Sequence, residues 1–498
     1  MQRSIILVTV DCLRADHVGF MGYRRPTTPF LDSVANEGFV VSAAIVAGAP
    51  TYYSFPAILG SRYPLSLGRD VVGFAPEEPT IASVLRESGY ATGAFSAGNP
   101  YVSARFGYER GFDQFEDFLT VEPNETFDVD EAAAGSKGLA GRLNRRLQSA
   151  RDFMGPLRLV YDELYFRYCQ RVTSAGKSME ELRRFPSADV IVDRAVSWLQ
   201  SNSGRPFFLW LHLMDPHAPY YPEEEALRLM GDRSLKPFQA RYLNSYWNRS
   251  DLGPWRLGRR REEILALYDA GIRWVDEQLS RLVQWLKQTS RWDECIFAVT
   301  ADHGEEFLDH AGRYHPPTDL NEELIRVPLL LRVPREQKTE LSRTPISLLD
   351  LAPTLMDAAG IKAPSEFQGK SRLDSWRHGS ESDEVAITES VCCTNPFRVE
   401  GRMRPRVLSV REKRFKLILH FDPWKELLYD LEADPGERAP VAPTAQKLVR
   451  RRLLEIARDH VRLSIERRNE RARAHVRIRE LRLEWMRSKA QAVMAQPF

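Results

Sequence analysis

Runs of apolar residues, many of them β-branched or aromatic, recur along the chain, and the sharpest of them stop abruptly at polar residues with chemistry to offer. Ser4–Val10 ends at Asp11, Pro206–Leu213 runs into Met214-Asp215-Pro216-His217, and Cys295–Ala301 ends at Asp302-His303-Gly304. Ala91–Ser96 and Leu324–Arg332 are further runs of this kind. Their length and near-continuous hydrophobicity predict buried strands, of the parallel type where both faces are covered. Between them apolar residues return at helical spacing. This predicts helices starting near Pro26 and ending at Ala35, over Thr80–Gly89, Val190–Leu199, Ile264–Lys287 and Leu348–Ala359, and a short one at Ala57–Leu59. The carboxyl ends of parallel strands are where open α/β sheets place their ligands. The polar residues that stop the runs are therefore the first candidates for function.

The periodicity loosens from about residue 117 to 186. Gly- and Ser-bearing pieces around Ala132–Arg142 look like loop, and Tyr161–Gln170 looks amphipathic, so an insertion over the sheet is expected at about 118–186. From about Glu384 the character changes to short strands at Arg406–Val410, Phe415–His420 and Leu427–Leu431, followed by the turn Asp434-Pro435-Gly436-Glu437. The expected organisation is a catalytic α/β domain over 1–380, a small antiparallel subdomain over 381–445 and a helical tail over 446–498. That tail carries 15 Lys/Arg against 6 Asp/Glu, a local net of +9. A helix of this kind can simply be solvated and packed on the domain or a neighbouring subunit. A basic amphipathic helix can also lie peripherally on an anionic membrane, bind RNA or mediate self-association.

Composition narrows the classes further. The chain has 498 residues, enough for a large core, and its 43% hydrophobic and 28% charged content is that of an ordinary soluble protein. A formal net charge of +2 supplies no global field for nucleic acid, and no nucleic-acid partner is expected. The five cysteines, Cys12, Cys169, Cys295, Cys392 and Cys393, form no CxxC pair, which suggests free thiols in a reducing compartment. The first strand begins almost at once and is interrupted by Asp11, so it does not read as a signal peptide, and no run approaches the ~20 residues of a membrane span. A cytoplasmic location is the expectation.

The candidate chemistry starts at Asp302-His303. A carboxylate and an imidazole side by side can cap the next turn, but they are also half of a divalent-metal site. Asp11 is a second strand-end carboxylate that could complete it. Thr51 and Ser54 lie in Pro50-Thr-Tyr-Tyr-Ser-Phe-Pro56 ahead of a short apolar helix. A hydroxyl there is a cap, or a nucleophile whose anionic adduct the helix dipole stabilises. His217 sits between prolines in a stiff loop, and His310 and His315 lie in a polar loop after the Asp302 strand.

Taken together, Val10-Asp-Cys-Leu-Arg-Ala-Asp-His17, Gly60-Ser-Arg-Tyr-Pro64, Phe207–Tyr220, Thr300-Ala-Asp-His-Gly-Glu305, Glu322–Pro328, Leu349–Leu355 and Leu428-Tyr-Asp-Leu431 resemble the sulfatase-like branch of the alkaline phosphatase superfamily, in that family's order over roughly residues 3 to 440. The resemblance implies a doubly wound, largely parallel sheet with helices on both faces and a smaller C-terminal sheet. It departs from the family at the nucleophile. Main-type sulfatases carry Cys or Ser followed by x-Pro-x-Arg and convert it to formylglycine. Counting back from Arg62-Tyr63-Pro64 puts Thr51 there, with Tyr53 at the Pro position and Phe55 at the Arg position, so no formylglycine is expected. A threonine at this place resembles the phosphoethanolamine and phosphoglycerol transferases of the superfamily. By that likeness Asp11, Thr51, Asp302 and His303 would hold one divalent ion (zinc, manganese or calcium). His217 and His315, with His310 as a further candidate, would hold the transferred group's oxygens. Cys12 replaces the second Asp of many calcium-binding sulfatases, again favouring a leaner ligand set. The expected activity is a metal-dependent hydrolysis of small-molecule, glycan or lipid-headgroup sulfate or phosphate esters, or transfer of a phosphoryl group. The alternatives are a phosphodiesterase, Ser54 as nucleophile, and a non-catalytic scaffold that binds partners through the basic tail.

Overall fold

The computed structural model describes residues 3–66, 73–119, 178–231, 235–336, 339–340, 344–379, 384–391 and 405–494. Most of the expected insertion, including Tyr161–Gln170, and the thiols Cys169, Cys392 and Cys393 lie outside the described residues.

The strands, in chain order, are β1 Ser4–Val10, β2 Phe39–Ile45, β3 Ala91–Ser96, β4 Gln114–Glu116, β5 Phe207–Leu213, β6 Cys295–Ala301, β7 Glu306–Phe307, β8 Arg313–Tyr314, β9 Arg326–Arg332, β10 Thr339–Glu340, β11 Ile346–Ser347, β12 Val385–Val391, β13 Pro405–Glu412, β14 Phe415–Phe421 and β15 Trp424–Asp430. Nine of them form one sheet in the order β10-β2-β9-β6-β1-β5-β3-β4, with β11 also on β2. The centre, β6-β1-β5-β3, is parallel throughout, and β9 runs antiparallel to both β6 and β2. Every residue of β5 and β6, and Ile5–Val10 of β1, is buried. A parallel strand covered on both faces needs that unbroken hydrophobicity.

The helices that matter below are α1 Pro29–Ala35, α2 Thr51–Gly60, α3 Ile81–Glu87, α4 Ala188–Ser201, α5 Arg261–Gln288, α6 Leu351–Ala358 and α7 Lys447–Met494. α1 and α4 both pack on α5, whereas α2, α3 and α6 pack on one another, giving the two layers that cover the sheet. This is the doubly wound architecture that the resemblance implies.

α2 differs from expectation. The short helix expected at Ala57–Leu59 begins at Thr51 and carries Pro56 in its interior. Pro56 forfeits one backbone hydrogen bond, but all ten residues of α2 are buried, so packing on every side holds a helix that local sequence would interrupt. β2 was not foreseen. Its Phe-Val-Val-Ser-Ala-Ala-Ile pairs antiparallel to β9 with a register shift between Val41 and Ala44, which blurs the alternation.

The C-terminal part is a four-stranded antiparallel sheet, β12-β13-β14-β15. α7 lies against it at its start. Leu453 and Ala457 join Ile387, Leu408, Val410, Leu417, Leu419 and Leu428 in one apolar cluster. With 48 residues α7 extends about 70 Å, well beyond that contact. No helix among the described residues is long and apolar enough to cross a membrane.

Candidate active site

Strand register assembles the centre of the site. Val10 of β1 pairs with Ala301 of β6, so the next residues, Asp11 and Asp302, emerge side by side at a spacing of about 4.8 Å. Both are fully buried. α2 delivers Thr51 to the same point as its first residue, at the end of the helix where backbone N–H groups are free and the dipole is positive. Thr51 Oγ1 lies 2.8 Å from His303 Nε2. His303 Nδ1 is 2.8 Å from the Gly304 carbonyl, which can only accept, so the proton sits on Nδ1 and the Nε2 lone pair faces Thr51. His303 Nε2 is also 3.5 Å from Asp302 Oδ2 and 3.8 Å from Asp11 Oδ1.

These residues fit a divalent cation. One donor atom each from Asp11, Asp302 and His303 falls within 4.8 Å of the others. Asp302 Oδ2 is buried with no hydrogen-bond partner, and the imidazole is oriented by a carbonyl as metal-binding histidines are. Electrostatics carries the same message. Burial pushes the Asp302 carboxyl up, and the Asp11 charge beside it adds to that. Burial would raise Asp11 too, but the imidazoles of His217, His212 and His303 outweigh it and hold Asp11 well below the usual carboxylate range. Two adjacent buried carboxylates cannot both ionise without a positive charge between them.

His217 and His315 flank this centre, their rings 5.4 Å apart, with His315 4.4 Å from His303. Burial lowers His217. Burial would lower His315 as well, but the Glu305 carboxylate 3.6 Å away raises it. Cys12 Sγ lies 3.0 Å from Asp11 Oδ1 and 3.5 Å from His315 Nδ1. Burial and then the charges of Glu305, Asp11 and Asp302 push its thiol well up.

The structure therefore brings together Asp11, Thr51, Asp302, His303, His217 and His315, as expected, but not His310. His310 Nδ1 is engaged by Glu323 at 2.5 Å and its Nε2 by the Glu437 carbonyl at 3.2 Å. Ser54 sits one turn into α2, buried and with no hydrogen-bond partner for Oγ, so it does not occupy the helix N-terminus.

Three participants escaped the sequence reading. Asn99 Nδ2 donates to Asp11 Oδ2 at 3.0 Å, and His212 Nε2 lies 3.5 Å from the same oxygen. Glu305 is fully buried beside His315. Asn99 follows the carboxyl end of β3, so the strand-end rule applied to Ala91–Ser96 would have found it. His212 was visible as the lone imidazole in an otherwise apolar strand.

A family model described as Sulfatase matches residues 3–361. The chain belongs to the sulfatase family. A second model, N-sulphoglucosamine sulphohydrolase, C-terminal, matches residues 314–457 and spans the small sheet and the start of α7. Among curated relatives, the arylsulfatase of Clostridium perfringens is 25% identical over 417 residues, covering 77% of this chain and 82% of that protein. The multifunctional alkaline phosphatase superfamily protein PehA of Trinickia caryophylli is 24% identical over 54% of this chain and 58% of its own length. Together these place the chain in the sulfatase branch of the alkaline phosphatase superfamily. The chain spans about half the length of several other curated relatives it matches. The fold is shared with a protein solved in complex with its substrate D-glucosamine-2-N,6-O-disulfate, at TM-score 0.67 and 17% identity over 94% of this chain and 99% of that one. It is shared equally with the phosphonate monoester hydrolase of Agrobacterium radiobacter, at TM-score 0.64 and 19% identity over 94% and 96%.

Proposed function

We propose that this sulfatase-family chain hydrolyses sulfate or phosphate esters of small molecules or glycans, with Thr51 as nucleophile and one divalent cation held by Asp11, Thr51, Asp302 and His303. The observation that carries the reading is the Thr51 hydroxyl set 2.8 Å from His303 Nε2, which itself lies 3.8 Å and 3.5 Å from the fully buried carboxylates of Asp11 and Asp302. The names of relatives support the substrate class: an N-acetylglucosamine-6-O-sulfatase of Bacteroides thetaiotaomicron is 30% identical over 35% of this chain, and the phosphonate monoester hydrolase shares the fold.

A divalent cation held there would make the Thr51 hydroxyl acidic near neutral pH and draw charge off the nonbridging oxygens. The remaining chemistry belongs to the chain. Thr51 Oγ1 attacks sulfur or phosphorus in line, forming a threonine ester and expelling the alcohol. Water then cleaves that ester, restoring the hydroxyl and releasing inorganic sulfate or phosphate. The positive end of α2 favours the anion at Thr51. His217 and His315 hold the nonbridging oxygens as charge builds on them. Asn99 fixes the Asp11 carboxylate. With an acceptor alcohol in place of water, the same steps make a transferase. Threonine, followed by Tyr53 and Phe55 where the formylglycine motif has Pro and Arg, lacks the residues that direct that conversion.

The test is turnover of p-nitrophenyl sulfate, p-nitrophenyl phosphate and bis-p-nitrophenyl phosphate by chelator-stripped protein reloaded with zinc, manganese or calcium. Turnover of at least one ester that requires a reloaded metal is expected. No turnover of any ester, together with failure to retain metal, would leave the scaffold reading.

A further inference from the structure

A second group of ligand-type residues lies in the segment between β6 and β9 and takes no part in the Thr51 site. Glu306, His310 and Glu323 bring one donor atom each to within 4.8 Å of one another. Glu306, in β7, is fully buried. Its Oε1 accepts the backbone N–H groups of His310 at 2.9 Å and Gly312 at 2.7 Å, which fixes the carboxylate, while Oε2 has no partner at all. Gly312 keeps that side open, since a Cβ there would fall 2.4 Å from Glu306 Oε2. The imidazole is oriented from behind. His310 Nε2 lies 3.2 Å from the Glu437 carbonyl and 3.3 Å from Asn321 Nδ2. Its Nδ1 is 2.5 Å from Glu323 Oε1.

Two carboxylates and an imidazole nitrogen thus converge, one of their oxygens buried and unpartnered, and a positive charge among them would stabilise both carboxylates. A proton on Nδ1 serves one carboxylate. A metal ion serves both, and one His with two Glu is a zinc donor set. We propose that Glu306, His310 and Glu323 form a second zinc site, distinct in all its ligands from the Asp11–Thr51–Asp302–His303 site. Zinc there clips the segment carrying Glu305 and His315 to the short helix Glu322–Ile325 at the start of β9, with the Glu437 turn of the small subdomain behind it.

The test is the zinc content of the full chain after chelation, saturation with zinc and removal of the excess, read by mass spectrometry of the metal. Wild type should hold two zinc ions per chain, and Asp302→Asn one. Adding His310→Gln, or separately Glu306→Gln, to Asp302→Asn should remove that one or weaken its binding at least about 10-fold. Circular dichroism identifies the variants that keep the fold, and the two substitutions give independent routes. Cobalt in place of zinc should give a visible absorption band in Asp302→Asn that His310→Gln abolishes. The proposal is overturned if Asp302→Asn holds no zinc, or if folded double variants keep it undiminished. A wild type that holds a single zinc, unaffected by Asp302→Asn but lost with His310→Gln, would uphold this site while removing the proposed one at Thr51.

Discussion

At the scale of single residues, the account turns on which hydroxyl meets His303. Thr51 Oγ1 has the contact, and Ser54 Oγ points into packed surroundings with no partner. Thr51→Ala should therefore lower kcat/KM at least about 10³-fold, while Ser54→Ala, which removes an unsatisfied buried hydroxyl, should change it less than about threefold. Steady-state kinetics on the ester that turns over fastest would check both. Cys12 makes a second residue-scale prediction. Its sulfur touches Asp11, and as a buried thiol it offers no hard oxygen donor. Cys12→Asp places a further carboxylate at the cation, which should move metal preference toward calcium, an ion that takes six to eight oxygen ligands. Activity of the stripped variant reloaded with zinc or calcium would show the shift, and an unchanged preference would argue that Cys12 stands outside the cation's reach. The identity of Thr51, Asp11, Asp302 and His303 was legible because each sits at a place the chain announces, a strand end or a helix start. Asn99 was within reach of the strand-end rule, three residues past β3, whereas the role of Glu305 is a contact to His315 that the local pattern does not show.

At the scale of elements, the segment leading into α2 is strapped to β12. Glu389 N donates to the Ala47 carbonyl, Ala49 N to the Glu389 carbonyl, and Thr388 Oγ1 to the Val46 carbonyl. The Glu389 side chain accepts from Leu65 N at 2.6 Å and meets His460 Nε2 of α7 at 2.5 Å. Glu389→Gln should cost about 1–3 kcal/mol of stability, because one of the two buried acceptor oxygens becomes an NH2 donor facing Leu65 N or His460. Denaturant unfolding would measure it, with a loss in kcat at similar KM as the functional sign that Thr51 has moved. The second element-scale prediction concerns His310. Its hydrogen bond to Glu323 raises it from the ordinary 6.5 to about 9. In metal-free protein its contribution to stability is therefore fully present below pH 6.5 and is lost as pH rises through about 9. The melting-temperature gap between wild type and His310→Gln should close over that window. A gap that is flat with pH would show that the pair is not charged. None of this was readable from the chain, because Glu389 and His460 stand 71 residues apart and a tie of that kind leaves no local signature. The early start of α2 was hidden by Pro56, whose usual meaning is overridden when all ten residues of the helix are buried. The strands β1, β5 and β6 were legible because burial on both faces demands continuous apolar runs.

For the whole molecule, the sheet order β6-β1-β5-β3 sets the carboxyl ends of four parallel strands side by side, and side chains that follow those ends make the site together with Thr51 of α2. The mixed sheet, two helical layers and small antiparallel sheet follow the sulfatase fold that the ordered motifs implied. The docking of α7 through Leu453 and Ala457 makes the start of the basic tail part of the small sheet's core. The account's central claim is that Thr51 carries the transferred group. The most direct test is rapid quenching of the metal-loaded enzyme during turnover, followed by peptide mass spectrometry. The account predicts a sulfuryl or phosphoryl group on Thr51, with unmodified threonine in the resting enzyme and no adduct in Thr51→Ala. An adduct on any other residue, or full turnover by Thr51→Ala, would contradict it.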